Sequence, residues 1–401
     1  MSSNRSVPGA WRMGMRILAA AAWLLVLGLA FHESSDPTVL DRWSVGWARL
    51  VAAAGAGALA LSLLVFPGPL VRLYGIRLQI MALVMMALLG LGLMEGAIRA
   101  FDIMGVSYYE EAKRYHLEKI ADDDLIYTHR PSWSSRYQSV DVSFNEYGFR
   151  DDPIVEREPD ELRILFLGDS VTFGWGVAQD AIFAARLEKL LSEELGRPVV
   201  VVNTGVGSYN TVQQRAVVER FGERLLPDIV LLLYVYNDTD EHERPFDPFA
   251  QFEFANYSFS GKVQLILGHS WLYRLVQHVR EQRGSGAREG GTLGATERSA
   301  GWLASIAALD DIGRWTRDRD LPFATYVWRR SAAPSDRLWT DLVEAGGRGG
   351  FPVVEASPAW VDVSEYRLSQ VDGHPNASGH KLLAEALARD LRKRGWLPAP
   401  R

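Results

Sequence analysis

The chain has 401 residues, 48% hydrophobic and 23% charged, with a net charge of -6 at neutral pH. That exceeds one average domain and supplies apolar residues for a sizeable core. With no cysteine, disulfides, thiolate metal sites and cysteine catalysis are excluded. No long basic run is present, so no nucleic-acid partner is expected.

The apolar residues are concentrated at the N-terminus. Residues 15–31, 50–66 and 78–94 form three runs almost free of charge. Each is about 17 residues long, near the lower limit for crossing a hydrocarbon core. In lipid only a helix satisfies its own backbone, so residues 1–101 are read as a membrane region with three spanning helices. The first run is read as a retained helix, because no small-residue cleavage site precedes His32 and two more apolar segments follow. Arg5, Arg12 and Arg16 precede the first run, and Arg72 and Arg77 lie in the second loop. Positive residues stay cytoplasmic, so a multi-pass protein with an extracytoplasmic C-terminal part is expected. Arg99, Lys113, Arg114 and Lys119 count against that orientation.

Residues 102–158 are polar and weakly periodic, and read as a juxtamembrane connector with some structure of its own. From about 159 to 396 the pattern is α/β. Short apolar runs at 162–167, 199–202, 229–236, 322–328 and 352–355 predict buried strands. Helical spacing predicts helices over 180–195, 300–317, 335–346 and 377–394. Continuous apolar strands alternating with helices imply a parallel sheet in a three-layer α/β/α domain. Residues 239–300 form an insertion after the third strand, with an aromatic stretch at 246–259 and a Gly-rich loop at 284–298.

In such sheets, ligands bind beyond the carboxyl ends of the strands. Gly168-Asp169-Ser170 follows strand one, Asn203-Thr204-Gly205 strand two and Asn237-Asp238 strand three. Asp372-Gly373-His374-Pro375-Asn376 precedes the last helix. Each alone has an ordinary reading as a turn, a cap or a surface residue. Together they supply what acyl transfer requires. A serine hydroxyl needs an adjacent base, here His374, and Asp372 can hold the imidazole tautomer. The oxyanion needs donors in place, and the backbone N–H groups of Ser170 and Gly205 with the side-chain amide of Asn237 can provide them. Asp169 is read as shaping the turn beneath Ser170. Asp238, Asp240, Glu241, His242 and Glu243 read as solvated surface rather than a metal site. No cofactor is implied.

In that order, Ser170, Gly205, Asn237 and His374 resemble the four blocks of the SGNH/GDSL hydrolases. LGDSVTFGWGV at 167–177 and HPNASGH at 374–380 look like those of many membrane-linked members, and the likeness spans about 160–396. It implies Ser170 as nucleophile, Asp372 and His374 as the rest of a triad, and Gly205 and Asn237 in the oxyanion hole. There are departures. Val171 replaces Leu, Asp372 stands two residues before His374 instead of three, and the second glycine after strand two is displaced to Gly207. The alternative Gly-x-Ser-x-Gly elbow is absent, because position 172 is Thr. Asn145, Gly148, Phe149 and Arg150 resemble a segment found ahead of such domains and are read as packing.

The expected function is an esterase removing acyl groups, acetyl foremost, from an extracytoplasmic glycan or lipid. The alternatives are an O-acyltransferase working with a multipass membrane partner, and a non-catalytic glycan-binding scaffold.

Overall fold

The computed structural model describes residues 67–241, 269–284, 299–328, 336–356 and 364–400, with Phe246, Leu267 and a few isolated positions before residue 67. The expected spans at 15–31 and 50–66 lie outside the described residues, apart from Ile17, as does most of the insertion at 239–300. The chain divides into two compact units, Met1–Asp102 with Ala250–Val276, and Ile103–Phe249 with Gln277–Arg401.

Among the described residues of the first unit the longest element is helix α1, Pro67–Phe101. The third expected span lies inside it. Its stretch Gly75–Phe101 has a mean hydropathy of 2.0 and is the one helix among the described residues long and apolar enough to cross a membrane. Leu78, Met81, Leu83, Met85, Leu88 and Leu93 all face outward from it. Near its end, the Glu95 carboxylate accepts from the Trp271 and Leu272 amides and from Ser270 Oγ. That caps the first turn of a helix running from Trp271, whose exposed amides have no partner within the helix.

The second unit begins with a layer that the sequence displayed poorly. Helix α2 (Tyr108–Leu117) precedes two hairpins, β1 (Ile120–Asp122) with β2 (Ile126–Thr128) and β3 (Ser134–Tyr137) with β4 (Val140–Ser143). Leu125, Ile126, Tyr127 and Phe149 from this segment are buried in the core beside the central strands.

The sheet is built from β5 (Leu162–Leu167), β6 (Val199–Asn203), β7 (Ile229–Tyr234), β8 (Phe323–Val327) and β9 (Val353–Glu355). Its order is β9-β8-β7-β5-β6, and every pairing is parallel. All six residues of β5 and all six of β7 are buried, as strands covered on both faces must be. The helices after β5 are, in chain order, α3 (Ser170–Phe173), α4 (Phe183–Leu195), α5 (Thr211–Leu225), α6 (Trp271–Gly284), α7 (Ala300–Arg317), α8 (Asp336–Gly349) and α9 (Ala377–Arg394). Helices α4 and α9 cover one face through Phe183, Leu187, Leu191, Leu383, Leu387 and Leu391. Helices α5, α7 and α8 cover the other through Val217, Phe221, Trp302, Leu309, Leu338 and Leu342. This is the three-layer α/β/α fold. The reversal of strand order beside β5 places the ends of β5, β6 and β7 together, where a ligand site belongs.

Candidate active site

Ser170 owes its position to a forced turn. Strand β5 is apolar from Ile164 to Leu167, then Gly168-Asp169 ends it. The Asp169 carboxylate accepts from the Val171 amide at 2.9 Å, an N-cap that starts the single turn α3 with Ser170 at its head. Gly174, at φ 80, closes the turn. Beneath it, the buried Arg150 guanidinium donates to the carbonyls of Gly174 at 2.5 Å and Val177 at 2.6 Å. The segment around Arg150 therefore packs, as read from the sequence, and packs under the serine turn.

His374 and Asp372 come from the loop before α9. Asn376 caps that helix by accepting from the Ser378 and Gly379 amides, and its Nδ2 donates to the carbonyls of Glu365 and Arg367. The loop is closed by Leu368 N–H donating to His374 O at 3.0 Å and Ser369 N–H to Asp372 O at 3.1 Å. The two-residue spacing works because one oxygen of Asp372 accepts twice. Oδ1 takes the His374 amide at 3.0 Å and lies 2.6 Å from His374 Nδ1. Oδ2 accepts from Trp175 Nε1 at 2.9 Å. With Nδ1–H committed to Asp372, His374 Nε2 accepts from Ser170 Oγ at 2.8 Å. Ser170, His374 and Asp372 therefore stand in one hydrogen-bonded line.

Electrostatics match that line. Burial alone pushes the Asp372 carboxyl up, but the facing His374 imidazole, the His374 amide and Trp175 outweigh it and hold it below the usual carboxylate range. Asp372 stays ionised where an esterase works. Asp169 is shifted the other way, raised by burial against opposing hydrogen bonds. Its Oδ2 lies 3.1 Å from Ser170 Oγ, a longer contact than that of His374.

The expected oxyanion residues fare differently. Asn237 sits in the 3₁₀ turn Tyr236–Thr239, is 8% exposed, and makes no side-chain hydrogen bond to a described residue. Asp238 holds this turn by accepting from the Val235 amide at 2.6 Å, Thr211 Oγ1 at 2.7 Å and Gln214 Nε2 at 2.8 Å. Asp238 is thus buried, not solvated surface. Among the described residues no cluster of metal-ligating groups is found, and His242 and Glu243 lie outside them. Gly205 is where the sequence placed it, but its N–H donates to Asn203 Oδ1 at 3.0 Å. Asn203 Nδ2 in turn donates to Thr172 O at 2.8 Å. A Cβ at Gly205 would collide with the backbone of Thr172 and Phe173. The glycine is required for close approach to α3, and its amide is already committed to Asn203.

Sequence reasoning gave Trp175 no role, and named Asn203 in a strand-end motif without assigning it one. Trp175 lay inside the quoted 167–177 block, yet nothing in its neighbourhood announces a partner 197 residues away.

A profile of the GDSL-like lipase/acylhydrolase family matches residues 166–382, over half of the chain. The chain belongs to that family. It is an ester-bond hydrolase of the SGNH type. No match is found among curated proteins. Among solved structures it is similar to a two-domain esterase active on acetylated mannans, at 15% identity and a TM-score of 0.38 over 60% of this chain. The chain spans only 51% of that protein's length. It is also similar to a lipase/acylhydrolase from Enterococcus faecalis, at 12% identity and a TM-score of 0.35, covering 58% of this chain and 96% of that one. An acetylxylan esterase from Geobacillus stearothermophilus, solved as a catalytic mutant, is 16% identical with a TM-score of 0.37, covering 59% of this chain and 97% of that one.

Proposed function

We propose that the enzyme is a membrane-anchored serine esterase that removes acetyl groups from an extracytoplasmic glycan or lipid. The observation that carries the chemistry is the line from Ser170 Oγ through His374 to Asp372, at 2.8 Å and 2.6 Å. Ser170 Oγ attacks the ester carbonyl while His374 Nε2 takes its proton. Asp372 keeps the imidazole in the accepting tautomer and stabilises the imidazolium. The developing oxyanion is received by the Ser170 N–H and the Asn237 side-chain amide. Gly205 contributes a donor only by giving up Asn203, so its part in this reading is to seat the loop. His374 then protonates the departing alcohol, leaving acetyl-Ser170. Water, deprotonated by His374, attacks the acyl carbon and releases acetate and free serine.

The anchor is supported by helix α1, whose outward apolar side chains over Gly75–Phe101 suit lipid. The remaining spans and the exported orientation rest on the apolar runs and arginine positions of the sequence. Purified full-length protein should release acetate from acetylated oligosaccharides in water. Labelling of Ser170 by a fluorophosphonate without acetate release would redirect the reading to acyl transfer. Accessibility of the hydrolase unit to protease added to intact cells tests the orientation, and complete protection would refute it.

A further inference from the structure

The loop after β6 carries a conformation that its sequence does not favour. Ser208 has φ 64, in the left-handed region that side chains other than glycine rarely adopt. Such strain persists only where the surroundings over-determine it. Those surroundings come from upstream of the family-matched residues 166–382.

Four side chains from α2, the first hairpin and the link between them hold two consecutive residues of the loop. Tyr115 Oη accepts from the Gly207 amide at 2.7 Å, and Lys119 Nζ donates to the Gly207 carbonyl at 2.5 Å. Tyr127 Oη donates to the Ser208 carbonyl at 2.7 Å, and His116 Nε2 lies 3.1 Å from Ser208 Oγ. The fit is close, because a Cβ at Gly207 would lie 2.5 Å from Tyr115 Cε1.

The holders are themselves held. Tyr115 Oη donates to His129 Nε2 at 2.6 Å, and His129 Nδ1 lies 2.9 Å from Gly148 O. Burial, with Lys119 nearby, pulls His129 down to about 3, so the ring is neutral and its Nε2 accepts. The Lys119 ammonium lies 4.8 Å from the Tyr115 ring centre and 4.1 Å from that of Tyr127. Burial pulls that ammonium well below its ordinary value, and the opposing charge is Asp169, the cap of the serine turn. The Tyr115 ring also packs 5.3 Å from Trp175, the partner of Asp372.

We propose that the segment Tyr115–His129 is a clamp built into the hydrolase site, with Tyr115 and Lys119 as positioning residues that set the Gly205–Ser208 loop against the serine turn. The proposal rests on Ser170 being the nucleophile. Neither side chain touches substrate. Both act by fixing the peptide groups of Gly207 and Ser208 beside α3, where a displacement of about 1 Å costs up to about 100-fold in rate.

The test uses full-length protein in detergent, as wild type, Tyr115→Phe, Lys119→Met and Tyr137→Phe. Tyr137 belongs to the same ring cluster, but its hydroxyl donates to Glu118 and not to the loop. Turnover of p-nitrophenyl acetate, the rate of fluorophosphonate labelling at Ser170, and amide exchange in peptides covering 204–210 are measured together. In Tyr115→Phe and Lys119→Met, kcat and the labelling rate should fall by about 10- to 100-fold with KM within about twofold, and loop exchange should quicken. Tyr137→Phe should match wild type in all three. An active wild type whose Tyr115→Phe variant keeps its kcat and labelling rate overturns the clamp alone. Equal losses in Tyr137→Phe and Tyr115→Phe also overturn it, by showing general packing. A folded wild type that neither turns over nor labels overturns the nucleophile reading and the clamp with it. If Lys119→Met does not fold, Tyr115→Phe, which keeps the ring, decides.

Discussion

Trp175 and Asp372 make a prediction in which one substitution reverses its sign. In wild type, Asp372 Oδ1 faces two donors of His374 and Oδ2 faces the indole N–H of Trp175. Asp372→Asn replaces one of these acceptors by a donor. If the new NH₂ faces Trp175, two donors oppose each other, but His374 keeps its productive tautomer. If the NH₂ faces His374, the imidazole must carry its proton on Nε2 and cannot accept from Ser170. Activity should therefore fall by about 10⁴-fold, as for the equivalent change in serine proteases. Trp175→Phe in the wild-type background removes a hydrogen bond to a charged carboxylate, worth roughly 1.5–3 kcal/mol, and should lower activity. In the Asp372→Asn background the same change removes the donor–donor conflict and favours the productive orientation. An unsatisfied buried donor costs roughly 1–3 kcal/mol, so Trp175→Phe should raise the activity of Asp372→Asn by about 5- to 150-fold. The assay is kcat/KM on p-nitrophenyl acetate for the four proteins of this cycle. If Trp175→Phe lowers activity in both backgrounds, the assigned hydrogen-bond directions are wrong.

Other outcomes follow from the same geometry. Asn237→Ala should lower kcat by about 10²- to 10³-fold, the usual cost of one oxyanion donor, with KM little changed; an unchanged kcat would remove Asn237 from the site. Gly205→Ala places a methyl group against the backbone of Thr172 and Phe173, so it should lower both the thermal midpoint and Ser170 labelling. A variant as stable and as reactive as wild type would contradict the close approach described. His129 and His380 are buried, and burial pulls each down to about 3 from an ordinary value of 6.5. Both are neutral when folded and take up protons when unfolded, so their stabilisation is complete above pH 6.5 and is lost as pH falls toward 3. The thermal midpoint should drop from pH 7 to pH 5, and His380→Gln should flatten that slope; an equal slope in both proteins would refute the assignment.

Much of the fold was legible because its strands are buried on both faces. Ile164–Leu167 and Ile229–Tyr234 read as unbroken apolar runs whatever lies around them. Helix α5 was not legible. Its buried face includes Gln213 and Gln214, one in a capping box with Asn210 and the other bonded to Asp238, which breaks the apolar period. The hairpins over 120–143 were hidden because each of their strands is only three or four residues long, too short to show a period, as in Ile126–Thr128 and Ser134–Tyr137. In the site, Ser170 and His374 stood out because each lies in a distinctive run, Ser170 at the head of α3 and His374 three residues ahead of α9. Which amide of Gly205-Val206-Gly207-Ser208 meets an oxyanion depends on peptide orientation, which residue types do not encode. In the sequence Lys119 counted only as a charge against the exported orientation, yet it is 5% exposed and lies under the loop. Only the folded chain brings it to Gly207.

The most direct measurement is reaction of the full-length protein with a fluorophosphonate, followed by mass spectrometry of the labelled peptide and hydrolysis of p-nitrophenyl acetate in parallel. The account predicts one label, on Ser170, that abolishes turnover, with neither label nor turnover in Ser170→Ala. Turnover that survives in Ser170→Ala, or a label on another residue, would contradict it.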